Sequence, residues 1–204
     1  VATANAIAYN NAIPVFLDVD IDTMGLSPKA VELFLEEFGE LKEDGCYNKQ
    51  TGRRIAACMP MHTFGFPVHL DELIKVCEQW NIPLVEDAAE SLGSSYKGKS
   101  TGSFGKIGAF SFNGNKIVTC GGGGSIVTND VDLAAEGKFL TTTAKEPHPY
   151  EYVHNVLGYN YRMPNLNAAL ACAQLEYLES FLENKRALAK DYKAFFDTQG
   201  IKFR

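Results

Sequence analysis

Residues 55–87 read IAACMPMHTFGFPVHLDELIKVCEQWNIPLVED and decide the fold class of this 204-residue chain. The first seven of them are apolar and predict a buried strand. Apolar side chains three and four residues apart over 70–80 predict a helix with one buried face. Residues 83–85 predict a second strand, whose end is formed by Glu86 and Asp87. A strand, a helix and a strand at this spacing are typical of a βαβ unit in a parallel sheet. The stretch therefore indicates an α/β fold.

Segments on both sides of this unit predict further elements. On the amino-terminal side, residues 14–19 (PVFLDV) predict a short strand and residues 28–38 an amphipathic helix, whereas residues 39–54 are polar and predict a solvent-exposed excursion. On the carboxyl-terminal side, short strands are predicted at 108–112 and 125–128. The alternation of strands and helices thus extends over most of the chain.

The carboxyl-terminal tail has a different pattern. Apolar positions from Leu166 to Phe195 have helical spacing, Asn165 is a candidate cap, and Gly200 ends the pattern. These signals predict one long helix over 164–200 that bridges to another domain. The apolar start of the chain and its end soon after Gly200 lead us to expect a piece of a longer protein.

Composition and charge exclude several classes of protein. Lys and Arg total 19 against 25 Asp and Glu, which gives a net charge of −6. An acidic surface repels nucleic acid and anionic lipid, so neither is an expected partner. No apolar stretch reaches the roughly 18–20 residues of a membrane span. The five cysteines form no C-x-x-C pair, which argues against a disulfide framework or a cysteine zinc site and favours a reducing cytoplasm.

Metal binding is not expected from the histidines. His69, His148 and His154 show no spacing typical of metal ligands, so the sequence predicts no metal site. His62 follows the first predicted strand of the βαβ unit. It either lines a substrate pocket or is a hydrogen-bonded histidine of a strand-end loop, and the sequence does not decide between the two.

Residues 93–100 (GSSYKGKS) match the phosphate-binding pattern G-x-x-x-x-G-K-[ST]. That loop requires a helix directly after it, whose amino terminus faces the phosphate. Three glycines in the next eight residues disfavour a helix there. A nucleotide-hydrolysing protein is therefore a remote alternative, and a hairpin that turns at Lys97 and Gly98 is the competing prediction.

The run VEDAAE, residues 85–90, places carboxylates at the end of a predicted parallel strand. Open α/β sheets bind their ligands at this edge, which makes Asp87 a candidate site residue. A structural alternative is a helix capping box, in which Asp87 is the cap and Glu90 follows three residues later. If Asp87 points into a site, Glu86 points to the opposite face of the sheet.

The run FSFNGNK, residues 110–116, precedes four consecutive glycines. Most lysines lie on solvated surfaces, but the residues around Lys116 are small, apolar and poor in other charges. An amine sheltered from water in this way is available as a nucleophile near neutral pH. Ser111, on the predicted strand just before it, can donate a hydrogen bond to a phosphate. Lys116 and Ser111 are therefore candidate site residues.

Residues 85–130 resemble the centre of the DegT/StrS-type aminotransferases. The order of Asp87, Ser111, Lys116 and a glycine cluster carries the resemblance, which continues in VATANAIAY and PVFLDVD near the start and in GYNYRMPNLNAALACAQLEYLE after residue 157. The members that it resembles most act in legionaminic-acid pathways or are perosamine synthases. The resemblance implies an α/β fold with an incomplete three-layer α/β/α large domain of the fold type I aminotransferases, a mixed and mostly parallel sheet, and a long carboxyl-terminal linking helix.

The resemblance also implies domain boundaries. Residues 1–163 would be the cofactor-binding large domain without its amino-terminal part. Residues 164–200 would be the linking helix, and residues 201–204 would begin a small carboxyl-terminal domain.

For the site residues, the resemblance implies roles around the cofactor pyridoxal 5'-phosphate. Lys116 would form a Schiff base with its aldehyde and then act as general base and acid. Asp87 would keep the pyridine nitrogen protonated, and Ser111 would bind the phosphate. Glu90 stands where many relatives have Gln or His near the ring. Asn160 would reach the phosphate of the neighbouring subunit's cofactor, which implies a homodimer with shared active sites.

The implied reaction transfers an amino group from glutamate to a nucleotide-linked 4-keto-6-deoxy sugar, for surface polysaccharide or nonulosonic acid biosynthesis. A UDP-linked N-acetyl sugar is the expected substrate, and a GDP-linked 4-keto-6-deoxymannose, as for perosamine, is the alternative. A relative that binds the cofactor and regulates without transamination is a second alternative. Arg162 has a substrate role or anchors an interface or loop, and the sequence leaves this open.

Overall fold

A computed structural model describes residues 1–202 of the protein. The helices are α1 (Ala2–Tyr9), α2 (Pro28–Phe38), α3 (Leu70–Gln79), α4 (Val131–Thr141), α5 (Asn165–Glu176) and α6 (Leu178–Thr198), with a 3₁₀ turn at Thr63–Gly65. The strands are β1 (Gly39–Lys42), β2 (Gly45–Asn48), β3 (Val85–Asp87), β4 (Ser95–Tyr96), β5 (Lys99–Ser100), β6 (Ile107–Ser111) and β7 (Gly124–Val127). The predicted alternation of strands and helices is confirmed for α2, α3, β3, β6 and β7.

The central sheet has the strand order β3-β6-β7, with β3 parallel and β7 antiparallel to β6. The segment before α3 lies parallel to β3 on its other side and pairs with it at Cys58–Leu84 and Met61–Asp87. The prediction of a buried strand over 55–61 is wrong in that only these two isolated bridges form there. Pro60 has no N–H to donate to β3, so the parallel ladder is broken between these two bridges.

The predicted strand at residues 14–19 is also wrong. Among the described residues this segment pairs only at Val19, which bridges Leu26. Val15 and Phe16 are exposed, and residues 1–202 provide no strand that pairs with 14–18. The β propensity of these side chains does not form a strand without that partner.

The main hydrophobic core lies around α2 and α3. Ser27 caps α2 through its hydroxyl, and Pro28 takes the first helical position, where its missing N–H costs nothing. Helix α3 buries Leu70, Leu73, Val76 and Cys77, each at the three-or-four spacing of the sequence. Complete burial of a leucine side chain contributes roughly 1.5–3 kcal/mol to folding, so this face fixes α3 against α2 in the main core.

Two hairpins lie outside the central sheet. The polar residues 39–54 include the antiparallel pair β1–β2, whose Cys46 is fully buried against the main core. The second hairpin, β4–β5, turns at Lys97 and Gly98, with φ of 50° and 83°. Two positive φ angles are typical of a type I′ turn, so the predicted hairpin is confirmed. No helix begins between β5 and β6, and the phosphate-loop hypothesis therefore lacks the helix that it requires.

The carboxyl-terminal helix is divided. The prediction of one helix over 164–200 is wrong, because Tyr177 leaves helical geometry with φ −101° and ψ 3° and separates α5 from α6. Pro164 takes the cap position, and Asn165 is the first residue of α5. Within the described residues no helix is long and apolar enough to cross a membrane. Ile201 and Lys202 have no regular secondary structure, and the rest of the predicted small-domain start, 203–204, lies outside the described residues.

Candidate active site

Lys116 lies on the wall of a cavity of about 200 Å³ at the end of β6. Its side chain is only 16% exposed, and its amide donates to the carbonyl of Asn113 at 3.0 Å in a tight turn. Ser111, Glu90 and Phe64 line the same cavity. The structure therefore brings together three of the candidate site residues named from the sequence: Lys116, Ser111 and Glu90.

The residues next to Lys116 in the sequence are poor in other charges, but the fold brings the carboxylate of Glu90 to the amine. Glu90 Oε1 lies 3.3 Å from Lys116 Nζ, and Glu90 Oε2 accepts the amide hydrogen of Phe64 at 3.0 Å. Glu90 and Lys116 are 26 positions apart, so local sequence does not encode this contact. An ion pair thus holds the amine in place.

Asp87 is the last residue of β3, as predicted, and is half-buried. Its Oδ2 accepts a hydrogen bond from the Thr3 hydroxyl at 2.6 Å, and its Oδ1 accepts one from the Ala89 amide at 3.1 Å. No helix starts between Asp87 and β4, and Glu90 bonds to Phe64 instead of to Asp87, so the capping-box alternative is wrong.

Asp87 and Ser111 are on the same face of the sheet. Asp87 pairs with Ala109 of β6, and Ser111 comes two residues later on that strand. Paired residues and residues two apart share a face, so strand geometry separates the two by roughly 8 Å. The Ser111 hydroxyl accepts the amide of Asn113 at 3.3 Å, which orients it at the strand end.

Glu86 points to the opposite face, as predicted, and is fully buried. It accepts hydrogen bonds from the amides of Gly102, Phe104 and Gly105 at 2.8, 2.6 and 2.7 Å, and His62 Nε2 lies 3.0 Å from its Oε2. Burial acts to raise the pKa of Glu86, but the bonds from His62 and the three amides outweigh it and leave this pKa below its ordinary value.

His62 is fully buried and does not line the cavity around Lys116. Its Nδ1 accepts the amide hydrogen of Val68 at 3.4 Å, which leaves Nε2 to donate to Glu86. His62 also donates its own amide hydrogen to the Asp87 carbonyl at 3.1 Å. Of the two interpretations left open by the sequence, the hydrogen-bonded histidine of a strand-end loop is confirmed.

Asn160 is not brought to the Lys116 cavity within this chain. It is exposed and forms an antiparallel bridge with Thr142, and Arg162 nearby is exposed as well. The predicted role of Asn160 at a neighbouring subunit's site stays a prediction.

Sequence reasoning missed Thr3, Phe64 and the pairing of His62 with Glu86. Thr3 lies 84 positions before Asp87, so no local spacing connects them. The positive φ of Phe64 belongs to a residue type that rarely adopts it. The structure also places ligand atoms of Asp20, Asp22 and His69 within 4.8 Å of one another. The sequence contains no spacing that signals this cluster.

Comparisons with known proteins bear on the family and the fold of this chain. The model of the DegT/DnrJ/EryC1/StrS aminotransferase family matches residues 1–203. EpsN of Bacillus subtilis (strain 168), whose name assigns it provisionally to the pyridoxal phosphate-dependent aminotransferases, is 42% identical over 204 residues, which are 100% of this chain and 50% of that protein. The GDP-perosamine synthase of Escherichia coli O157:H7 is 37% identical over 193 residues, 95% of this chain and 48% of that protein.

Among solved structures, PseC of Helicobacter pylori, an aminotransferase involved in the biosynthesis of pseudoaminic acid, matches with a TM-score of 0.82 at 25% identity. The match covers 96% of this chain and 48% of that chain. The chain thus spans about half the length of the curated relatives it matches. These solved structures are fold type I aminotransferases, so the predicted α/β fold with a mixed sheet is confirmed. The cofactor of this family is pyridoxal phosphate. By family model, sequence identity and fold, the chain belongs to the DegT/DnrJ/EryC1/StrS aminotransferase family.

Proposed function

We propose that the protein transfers an amino group from glutamate to the keto carbon of a nucleotide-linked sugar, with pyridoxal phosphate as cofactor. The observation that carries the proposal is the cavity at the end of β6. It places the sheltered amine of Lys116 beside the hydroxyl of Ser111, with Asp87 on the same sheet face. The names of the perosamine synthase and PseC relatives support amino-sugar chemistry.

The residues present fit this cofactor. Pyridoxal phosphate has an aldehyde, a basic ring nitrogen and a phosphate at separate positions of one ring. The chain offers an amine, a carboxylate and a hydroxyl, each of the kind that binds one of these groups. Asp87 and Ser111 are separated by roughly 8 Å by strand geometry, so one ring with its substituents can lie between them.

Each residue has a defined task in the proposed reaction. When bound, pyridoxal phosphate supplies an electron-withdrawing ring that stabilises negative charge at the substrate carbon. Asp87, held by the Thr3 hydroxyl and the Ala89 amide, would keep the ring nitrogen protonated. Lys116 would hold the aldehyde carbon and then move a proton at the substrate carbon. Ser111 would donate its hydroxyl hydrogen to the phosphate.

Glu90 would orient the Lys116 amine and accept its proton. Its two oxygens are already divided between Lys116 and the Phe64 amide, so its carboxylate is fixed on the cavity wall. Substitution of Glu90 by Gln would keep the shape but remove the charge. We expect this variant to bind the cofactor and to turn over more slowly.

Borohydride reduction of the full-length protein, followed by peptide mass mapping, tests the role of Lys116. We expect a pyridoxyl group on Lys116 and none after Lys116→Ala. Lys106→Ala, which removes an exposed lysine ten residues earlier, is the control and should leave the label in place. A label on another lysine would contradict the site assignment.

The finer substrate assignment concerns the nucleotide and the sugar. We propose a UDP-linked N-acetyl-4-keto-6-deoxy sugar, with GDP-4-keto-6-deoxymannose as the alternative that the perosamine synthase relative favours. Parallel assays with glutamate and each keto sugar separate them by kcat/KM. Turnover of neither sugar by protein that carries the cofactor would favour a regulatory relative.

Asn160 is proposed to act in the partner's active site. A mixture of Lys116→Ala and Asn160→Ala subunits tests this sharing. In a mixed dimer one site would lack both residues and the other would have both, so activity should return on mixing. If mixed dimers, isolated by a different affinity tag on each variant, stay inactive, a shared site is excluded.

A further inference from the structure

The buried pair of His62 and Glu86 has no task in the proposed chemistry. Glu86 nevertheless lies next to Asp87 on β3, with its side chain on the opposite face of the strand. The side chains of His62 and Glu86 are both 0% exposed, and His62 Nε2 lies 3.0 Å from Glu86 Oε2. The amides of Gly102, Phe104 and Gly105 donate to the same carboxylate. Four donors therefore converge on a carboxylate that water does not reach, and removal of any partner leaves a buried polar group unpaired.

This pair is joined to Asp87 through the main chain. The His62 amide donates to the Asp87 carbonyl at 3.1 Å, and the Asp87 amide donates to the Pro60 carbonyl at 2.9 Å. Glu86 directly precedes Asp87 on β3, so their side chains leave opposite faces of one short strand. A shift of Glu86 or His62 must therefore move Asp87.

A second connection joins the pair to Lys116. Phe64 follows His62 by two residues and has a φ of 52°, which a residue with a side chain keeps only where its surroundings hold it. Its amide donates to Glu90 Oε2, while Glu90 Oε1 contacts Lys116 Nζ. The turn at 62–64 thus links the buried pair to the ion pair of the cavity.

We infer that His62 and Glu86 are positioning residues, which hold the turn at 62–64 against β3 and so fix Asp87 relative to the Glu90–Lys116 ion pair. The inference rests on the proposed function, because Asp87 and Lys116 matter together only if they hold one cofactor. The ligand concerned is pyridoxal phosphate, which Asp87 would hold at the ring nitrogen and Lys116 at the aldehyde.

Three variants of the full-length protein test the inference: His62→Leu, His62→Gln and Glu86→Gln. The leucine removes the donor to Glu86, whereas the glutamine at position 62 keeps an N–H donor. The glutamine at position 86 keeps shape and volume but turns one acceptor into a donor. The readouts are the dissociation constant of pyridoxal phosphate and its visible circular dichroism, which reports ring orientation, at 10 °C on protein shown to be folded by far-ultraviolet circular dichroism.

His69→Leu is the matched control. His69 Nε2 lies 2.9 Å from Asp22 Oδ2, nearly the same distance as in the buried pair, but the side chains are 34% and 62% exposed. We expect His62→Leu and Glu86→Gln to weaken cofactor binding at least tenfold and to change its visible circular dichroism. The dissociation constant of His62→Gln should lie within threefold of that of the unsubstituted protein. For His69→Leu, neither the dissociation constant nor the circular dichroism should change.

A folded Glu86→Gln protein with unchanged cofactor affinity and circular dichroism would overturn the inference, even if His62→Leu fails to fold. The same holds if His62→Leu and His62→Gln are equally impaired, because loss of the donor would then not be the cause. If the unsubstituted protein binds no pyridoxal phosphate, the proposed function itself fails. Cofactor binding by the unsubstituted protein thus distinguishes failure of this inference from failure of the proposed function.

Discussion

Two histidine–carboxylate pairs in this protein have nearly the same bond and different surroundings. His62–Glu86 is 3.0 Å long and fully buried, whereas His69–Asp22 is 2.9 Å long and lies in solvent. Exposed pairs contribute about 0–1 kcal/mol, because water screens the charges and two side chains must be ordered. Breaking a buried pair costs about 3–5 kcal/mol, because it leaves a charge or donor without a partner. Burial, and not bond length, decides what such a pair does.

Glu86→Ala should have the largest effect on stability. It removes the acceptor of three loop amides and of His62, so we expect the free energy of unfolding to fall by about 3–5 kcal/mol. Urea unfolding followed by circular dichroism measures the loss. A loss below 1 kcal/mol would mean that the buried pair behaves like the exposed one.

Gly108→Ala should disturb the hydrogen bonds of Glu86 from the neighbouring strand β6. Gly108 pairs with Glu86, and a Cβ there would come within 2.1 Å of the Gly102 carbonyl oxygen. Because that contact is with backbone, the loop that donates to Glu86 must move, at a cost of about 1–3 kcal/mol. Thermal unfolding measures it.

Gly137→Ala is the control for this glycine substitution. Gly137 lies inside α4 with nothing within 4 Å of the added Cβ. Here we expect stabilisation by about 0.5–1 kcal/mol, since alanine favours the helix. Equal effects at both positions would exclude the proposed steric contact.

The buried pair should also make the stability of the protein depend on pH. The pKa of Glu86 is lower in the folded protein than its ordinary value of 4.5, so its charged form stabilises the fold above that pH. This contribution is lost as the pH falls from about 4.5 through the lower folded value. Stability curves between pH 7 and pH 3 should fall less steeply for Glu86→Gln than for the unsubstituted protein. Parallel curves would contradict this.

Asp22→Asn should have the smallest effect. It removes the charge of the exposed pair, and we expect the free energy of unfolding to change by at most about 1 kcal/mol. Urea unfolding at low and at high salt measures it, and any loss should shrink in high salt because the charges are screened. A loss as large as that of Glu86→Ala would refute the distinction drawn from burial.

Much of the fold followed from local signals. The three-and-four spacing over 70–80 predicted α3, and the dipeptide at 97–98 predicted a turn that both positive φ angles confirm. The parallel direction of residues 55–61 relative to β3 was predicted correctly. The break in their hydrogen-bond ladder was not predicted, and it comes from the missing N–H of Pro60. The strand at 14–19 failed because strands need partners, and side-chain type alone does not supply one.

The candidate site was predicted in part. Lys116 and Ser111 are close in sequence and share a cavity, and Asp87 was placed at its strand end by position alone. The ion pair between Lys116 and Glu90 was missed, because the two residues lie 26 positions apart. The roles of these residues are proposals that the experiments above address.

The sequence by itself determined the elements whose cause is local: the buried face of α3, the turn at 97–98, and the motif that marks the family. Tertiary structure alone decided which side chains meet. His62 and Glu86 are 24 positions apart, and Thr3 and Asp87 are 84 apart. The physical reason is that periodicity and turn geometry act over a few residues, whereas burial and hydrogen bonding between distant residues exist only once the chain has folded.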